Sequence, residues 1–457
     1  MSEAALIGVL GMARSGRAAA RLALKHGHRV YVSDTGTSAA LRETARTLES
    51  EGAEVQLGGH SLDRLLACDV LVVSPGLDPA KGILAEPQLA GKRRVSELEF
   101  AFWFLHAPVI AITGTNGKST TTALVSELLR RAGLDAPASG NIGFALSEVA
   151  YRDSQPDWAV VEASSFQLAE IERFTPRIGV VTNLAPDHLD RYASVEAYYA
   201  DKARLFETAT AYSVWVLNAD DPEVMKLPGN APGRRFYFST RGELERGQAG
   251  AFLNSYGELI LRLGGTDTRL VRVQELALLG THNIANALAA SIAAAAAEIP
   301  LEAIHDGLTG FRGLVHRLEV VQERAGVLWI NDSKATNIAS TRVALQSMTR
   351  PTVLLLGGKH KGEPYTSLLP DLGRVHTVIA YGEAAPLIQQ DLGAKLHVER
   401  VGGSFEDVIE TAENIARSGD AVLLSPACAS FDMFANYEER GDRFKALVTR
   451  EREAVRG

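Results

Sequence analysis

Ile112-Thr113-Gly114-Thr115-Asn116-Gly117-Lys118-Ser119-Thr120-Thr121-Thr122 follows an apolar run that begins at Pro108 and reads as a buried strand. Beyond it, Leu124, Val125, Leu128 and Leu129 recur at helical spacing. Strand, glycine turn, Lys-Ser pair and helix make a phosphate cradle. The glycines let backbone N–H groups close on phosphate oxygens. The helix N-terminus adds a partial positive charge, Lys118 a full one, and Ser119 or Thr120 an oxygen for Mg²⁺. The loop is shorter than the usual Gly-x-x-x-x-Gly-Lys, because Ile112 stands where the first glycine would be. A polar turn capping a helix is the competing reading. It is weakened by the coincidence of two glycines, a lysine and hydroxyls between a strand and a helix.

Working outward, the chain of 457 residues is too long for one core and suggests about three domains. A net charge of −8 gives no reason to expect nucleic acid. Cys68 and Cys428 lie in apolar runs and read as reduced core residues of a cytoplasmic protein. There is no signal pattern and no apolar run near the ~18 residues of a membrane span. The alanine-rich stretch from Ala285 to Ala297 reads as a buried helix.

Upstream, Ala5 to Leu10 reads as a strand, followed by Gly11, Ala13 and Gly16, a helix from about Gly16 to His26, and a strand from Arg29 that ends at Asp34. This is the order of a dinucleotide-binding unit, with an acid placed to hold a ribose. Ala13 in place of the middle glycine, and the early position of Asp34, weaken the dinucleotide reading. A nucleotide-sugar and a plain β-α-β unit both stay open. Asp69 to Val73 runs into Ser74-Pro75-Gly76, a turn at a strand's carboxyl end, where open α/β sheets bind ligands.

Downstream, the strand from Trp158 to Val161 delivers Glu162, and that from Ile178 to Thr182 delivers Asn183 and Pro186-Asp187-His188-Leu189-Asp190. Metal-capable side chains at two strand ends beyond a phosphate loop suggest an ATPase-type Mg²⁺ site. Gly140-Asn141-Ile142-Gly143 is a polar turn, and Lys202 reads first as a solvated helix lysine. Val214 to Leu217 and Gly257 to Leu263 are further strands. Asn283 and Asn286 either cap their helix or reach a purine or ribose. Gly310 to Leu318 reads as a linker. Strands at Leu328 to Ile330, Val353 to Leu356, Thr377 to Ala380 and Ala421 to Leu424 then make another parallel-sheet α/β unit. Its polar strand ends suit a substrate cleft, and are also ordinary loop composition.

Gly114 to Thr120 resembles the ATP loop of the Mur ligases, the ATP-dependent amino-acid-adding enzymes of peptidoglycan precursor synthesis. Four further stretches are similar to the family member that adds D-glutamate: Glu162 to Leu168, Asn183 to Asp190, Asn331 to Asn337 and Ser425 to Asp432. The resemblance implies three α/β domains, each on a mainly parallel sheet. These are a Rossmann-like domain for the UDP substrate (1–106), a P-loop ATPase domain (107–312) and a Rossmann-like domain for ATP and D-glutamate (313–457). It implies that ATP phosphorylates the alanine carboxylate of UDP-MurNAc-L-Ala and that D-glutamate attacks the acyl phosphate.

By the same resemblance, Gly114 to Thr120 with Asn283, Arg317, Asp332 and Lys334 hold ATP. Ser119 and Glu162 contact one Mg²⁺, while His188 and Lys202 serve a second, with Lys202 carbamylated because an ammonium cannot ligate a cation. Asn141 and His188 hold the acyl-phosphate region. Arg14, Ser15, Asp34, Thr35 and Gly76 face the UDP substrate, and Thr336, Lys361, Ser430 and Tyr437 grip D-glutamate. Lys118, Asn141, His188 and Lys202 form the catalytic set of a cytoplasmic monomer. Ala13 in place of a glycine and Lys359-His360 before Lys361 depart from the family pattern.

Overall fold

The computed structural model describes residues 4–188, 191–276, 278 and 280–450. Leu189 and Asp190, at the end of the Pro186 motif, lie outside the described residues. Two compact units emerge, Met1–Leu276 with His282–Gly310, and Ala277–Thr281 with Phe311–Gly457.

The first unit holds two sheets. Strands β1 (Leu6–Leu10), β2 (Arg29–Asp34), β3 (Glu54–Leu57), β4 (Val70–Val73) and β5 (Arg94–Ser96) form a parallel sheet in the order β3-β2-β1-β4-β5. β1 and β4 are wholly buried, as expected of apolar strands covered on both faces. The second sheet comprises β6 (Val109–Thr113), β7 (Ala138–Gly140), β8 (Ala159–Glu162), β9 (Ile178–Val181), β10 (Val214–Asn218), β11 (Arg234–Ser239), β12 (Gly250–Leu253), β13 (Glu258–Leu263) and β14 (Thr266–Arg272). Their order is β14-β13-β12-β11-β10-β9-β6-β8-β7, parallel except for the meander β12 to β14. β6 sits centrally between β8 and β9, so the phosphate loop, Glu162 and Thr182 leave one edge side by side. The helix Lys118–Arg131 buries Leu124, Val125, Leu128 and Leu129.

In the second unit, β15 (Glu319–Arg324), β16 (Val327–Asn331), β17 (Thr352–Gly357), β18 (Val375–Tyr381), β19 (His397–Arg400) and β20 (Ala421–Leu424) run β15-β16-β20-β17-β18-β19. Only β15 is antiparallel. One face packs on a core containing Leu354, Leu356, Leu368 and Ile388, the other on Trp329, Leu355, Phe405 and Phe444. The carboxyl ends of β16, β17 and β20 lie adjacent and carry Asp332, Lys361 and Ser430 on the loops that follow.

The alanine-rich segment is the helix Thr281–Ala296, buried along most of its length. Among the described residues, no helix is long and apolar enough to cross a membrane.

Candidate active site

The phosphate loop is braced from β9 and from the alanine-rich helix. Thr115 N donates to Asn183 O at 2.8 Å, and Asn116 N to the Asn183 side chain at 2.9 Å. Thr182 and Asn183 both donate to Asn116 O, at 2.6 and 3.0 Å. Gly117 has φ +82, and a Cβ there would stand 2.3 Å from Asn286 Oδ1. That same oxygen accepts from Thr121 at 3.2 Å, and Asn286 Nδ2 donates to Asn283 at 2.9 Å. Asn286 therefore clamps the loop, and Asn283, which is buried, is held by it.

Two lysines converge on one carbonyl. Lys118 Nζ donates to Gly114 O at 3.0 Å and to Thr115 O at 2.7 Å. Lys202 Nζ donates to the same Gly114 O at 2.8 Å and lies 4.4 Å from the Tyr198 ring centroid. Lys202 is only 1% exposed, so the reading of a solvated helix lysine is wrong. The residue sits where the helix Val195–Ala203 packs on the loop. Burial, reinforced by the Lys118 charge, lowers the Lys202 amine to about 7.

Glu162 closes the other side. It is buried, and its Oε1 accepts from Asn141 Nδ2 at 2.8 Å, while its Oε2 is buried with no partner. An orphaned carboxylate oxygen beside a phosphate loop fits a cation ligand. His188 adopts φ +53, donates its backbone N–H to Asp187 Oδ1 at 2.8 Å, and sets its exposed ring 4.9 Å from the Phe166 ring. Among the described residues, no three His, Cys, Asp or Glu side chains gather as a ready-made metal cluster.

The turn after β1 faces the same region. Arg14 opens the helix Arg14–Lys25, whose N-terminus has no side-chain cap. Its guanidinium donates to Gly143 O at 2.5 Å and Gly140 O at 3.4 Å, joining this turn to the Asn141 turn. Asp34 is committed to the backbone: Oδ2 accepts from Met12 N and Oδ1 from Gly36 N, both at 2.7 Å. Ser15 is half-buried, whereas Thr35 and Gly76 are exposed. Beside Gly76, a cavity of about 190 Å³ is lined by Ser74, Pro75, Phe166, Gln167, Arg191 and Tyr192. Arg191 fixes its wall, donating to Pro75 O at 2.8 Å and to Leu77 O, with its guanidinium 3.8 Å from the Phe166 ring centroid.

In the second unit, Lys361 Nζ donates to Thr336 Oγ1 at 3.3 Å, which brings these two positions together. Asp332 is buried, accepts from Ser425 Oγ at 2.8 Å and from Leu318 N at 3.2 Å, and is pushed up to about 7 by burial. Lys334 is exposed and Arg317 half-buried. Ser430 is buried, its backbone oxygen accepting from Phe434 N at 2.8 Å. Tyr437 opens the helix Tyr437–Thr449, and its carbonyl accepts from Ser333 Oγ at 2.8 Å.

Two supporting residues escape the sequence reading. Arg440 is fully buried, donating from Nε to Ser333 Oγ at 2.9 Å, from Nη2 to Ser333 O at 2.8 Å, and to Cys428 O. It locks together the loops bearing Thr336, Ser430 and Tyr437. Its spacing from Phe444 and Val448 on one helix face was the available signal. Glu99, also fully buried, accepts from the backbone of Glu172, Arg173 and Phe174 and from Trp103 Nε1.

The family profile described as Mur ligase middle domain matches residues 112–294, that of the glutamate ligase domain 316–428, and that of the Mur ligase MurD-like N-terminal domain 5–96. The chain belongs to the Mur ligase family. Curated Mur ligases named UDP-N-acetylmuramoylalanine–D-glutamate ligase are similar to it over nearly its whole length. The protein of Salinibacter ruber is 42% identical over 96% of both chains. That of Acidobacterium capsulatum is 39% identical over 98% of this chain and 96% of its own. Among solved structures, the UDP-N-acetylmuramate–alanine ligase of Thermotoga maritima shares the Mur ligase fold. It has a TM-score of 0.58 and 18% identity, covering 96% of this chain and 98% of that one.

Proposed function

We propose that this chain is a UDP-N-acetylmuramoylalanine–D-glutamate ligase, joining D-glutamate to UDP-N-acetylmuramoyl-L-alanine at the expense of ATP. The observation that carries this reading is 42% identity, across 96% of both chains, to a relative of that name. In this assignment residues 1–106 take the UDP substrate, 107–312 the reacting phosphates, and 313–457 the nucleotide and the acceptor.

A carboxylate is a poor electrophile, and phosphorylation gives it a leaving group. The γ-phosphoryl group of ATP passes to the alanine carboxylate and ADP leaves. The D-glutamate ammonium gives one proton to solvent, its neutral nitrogen attacks the acyl carbon, and the resulting C–N centre releases a second proton to solvent. The tetrahedral intermediate then expels phosphate and leaves an amide. Phosphoryl transfer asks the protein chiefly for position and charge. The backbone N–H groups of Gly114 to Thr120 cradle the phosphates, and Lys118 turns from loop carbonyls to the transferring group. Asn141, fixed by Glu162, orients the acyl-phosphate oxygens together with His188. Asn283, Arg317, Asp332 and Lys334 are assigned to the nucleotide. Arg14, Ser15, Asp34, Thr35 and Gly76 are assigned to the UDP substrate; Thr336, Lys361, Ser430 and Tyr437 to D-glutamate.

Ser119, Glu162, His188 and a carbamylated Lys202 would hold Mg²⁺, in two sites. Bound Mg²⁺ supplies charge neutralisation at the phosphoryl oxygens. The buried Lys202 supports the modification: an amine lowered to about 7 is substantially free at neutral pH, and a free amine adds carbon dioxide with loss of a proton. The carbamate exchanges a second cation at Gly114 O for an oxygen anion.

Phosphate release from ATP and UDP-N-acetylmuramoyl-L-alanine should require D-glutamate. L-glutamate, L-alanine and diaminopimelate should give background rates. Equal rates with L-glutamate or diaminopimelate would overturn the assignment.

A further inference from the structure

The loop after β17 reads Gly357-Gly358-Lys359-His360-Lys361-Gly362. Lys359 and Ala429 exchange both backbone hydrogen bonds, at 2.8 and 3.1 Å, pinning this loop to the one after β20 that carries Ser430. Lys361 turns to Thr336. His360 is tied elsewhere. Its Nδ1 lies 3.1 Å from the Tyr365 hydroxyl, and that hydroxyl lies 2.8 Å from Cys428 Sγ. Tyr365 is 1% exposed and Cys428 0%, whereas His360 is half-buried. The Nδ1 edge of the imidazole therefore faces inward, and the edge left toward the surface carries Nε2.

Two proton orders satisfy these distances. In one, Cys428 S–H donates to the Tyr365 oxygen, and Tyr365 O–H donates to His360 Nδ1. In the other, His360 Nδ1–H donates to Tyr365, whose O–H donates to sulfur. The buried Cys428 thiol keeps its proton at neutral pH, and even a weak S–H donor gains from an acceptor. Only the first order provides one. It also pairs the phenol, the better donor, with imidazole nitrogen, a far better acceptor than sulfur. Nδ1 is then the lone-pair nitrogen, and Nε2 carries the hydrogen.

We infer that His360 donates a hydrogen bond through Nε2–H to a carboxylate of the acceptor amino acid, next to Lys361, with its tautomer fixed by Tyr365 and Cys428. This rests on the ligase reading above. An acceptor with two carboxylates presents more oxygen lone pairs than Lys361 and the hydroxyls of Thr336, Ser430 and Tyr437 can fill. A neutral N–H beside an ammonium adds direction without further like charge.

Two amides dissect the ring. His360→Asn keeps an oxygen for the Tyr365 hydroxyl but lacks the outer donor. His360→Gln can place an N–H near the position of Nε2–H. The KM for D-glutamate should rise about tenfold in His360→Asn and stay within about threefold in His360→Gln, with the KM values of ATP and the UDP substrate unmoved. Tyr365→Phe should act in the same direction as His360→Asn, more weakly. Imidazole ¹⁵N NMR of the wild type at neutral pH should show Nδ1 unprotonated and Nε2 protonated, and Tyr365→Phe should mix the tautomers. An unchanged KM for D-glutamate in His360→Asn, or a proton on Nδ1 in the wild type, overturns the inference while leaving the ligase reading standing. A wild-type protein that uses no D-glutamate removes both.

Discussion

The first unit contains two versions of the same local structure, and they are braced differently. After β1 and after β6 alike, a buried parallel strand runs into a glycine with positive φ, +87 at Gly11 and +139 at Gly114, and a helix starts within a few residues. The first turn is held by a carboxylate, because Asp34 accepts from Met12 N. The second is held by the neutral side chains Thr182, Asn183 and Asn286. The cations differ too. Arg14 is spent on the carbonyls of Gly140 and Gly143, whereas Lys118 rests on carbonyls of its own loop. A turn that only holds a ligand can use a permanent anion as a brace. In the proposed reaction the second turn must stabilise charge building up on a phosphoryl group, and a carboxylate bonded to its backbone would offset Lys118; the buried Glu162 nearby bonds Asn141 rather than the loop.

The largest effect expected from this contrast is at Lys118. Lys118→Ala should lower kcat by a hundredfold to a thousandfold, about 3 kcal/mol or more of transition-state stabilisation, with an unchanged thermal midpoint. Near-normal phosphate release would mean that the second turn, like the first, only binds.

Next comes Lys202. On the proposed carbamate, Lys202→Ala should cost about a hundredfold in kcat, with partial recovery in high acetate or formate, which would supply the missing oxygens. The pH dependence has a definite sign. The amine, at about 7, gains its proton as pH falls through that value, and an ammonium does not capture carbon dioxide. Wild-type activity should therefore drop below pH 7 and respond to bicarbonate, while the acetate-rescued variant should not respond. Wild-type rates in Lys202→Ala would make the residue a buried prop.

The smallest effect belongs to the first turn. Asp34→Asn leaves one oxygen to accept but removes the charge that strengthens the bond to Met12 N. Urea unfolding should register a loss of about 1–2 kcal/mol. The KM for the UDP substrate should rise severalfold with kcat unmoved. A fall in kcat instead would erase the distinction between a holding turn and a reacting one.

What could be read from residues alone follows the same physics. Long apolar runs such as Val109 to Ile112 and Val353 to Leu356 announce central strands, because both faces are covered. The phosphate loop is legible because its chemistry is contiguous. Glu54–Leu57, Arg94–Ser96, Ala138–Gly140 and His397–Arg400 are short or polar strands, formed where a neighbour offers hydrogen bonds, and periodicity gives no warning of them. The burial of Lys202 was equally hidden. Asp201 precedes it and Arg204 follows its helix, and only packing on the Gly114 carbonyl, with the Tyr198 ring one turn back on the same helix, excludes water. Asn286 offered a choice between capping and ligand contact, and the fold makes it a clamp on the loop instead.

Arg440 has a further consequence. A guanidinium does not lose its proton inside a protein. This one donates to carbonyl and hydroxyl oxygens of Ser333 and Cys428. Those dipoles solvate the charge without cancelling it. The acid that charge acts on, Asp332, is itself pushed toward its neutral form by burial. The floor beneath the strand ends of the second unit therefore holds a buried positive charge. An acidic amino acid drifting past would feel that pull before touching any donor, and so would meet these loops more often than a neutral one at the same concentration.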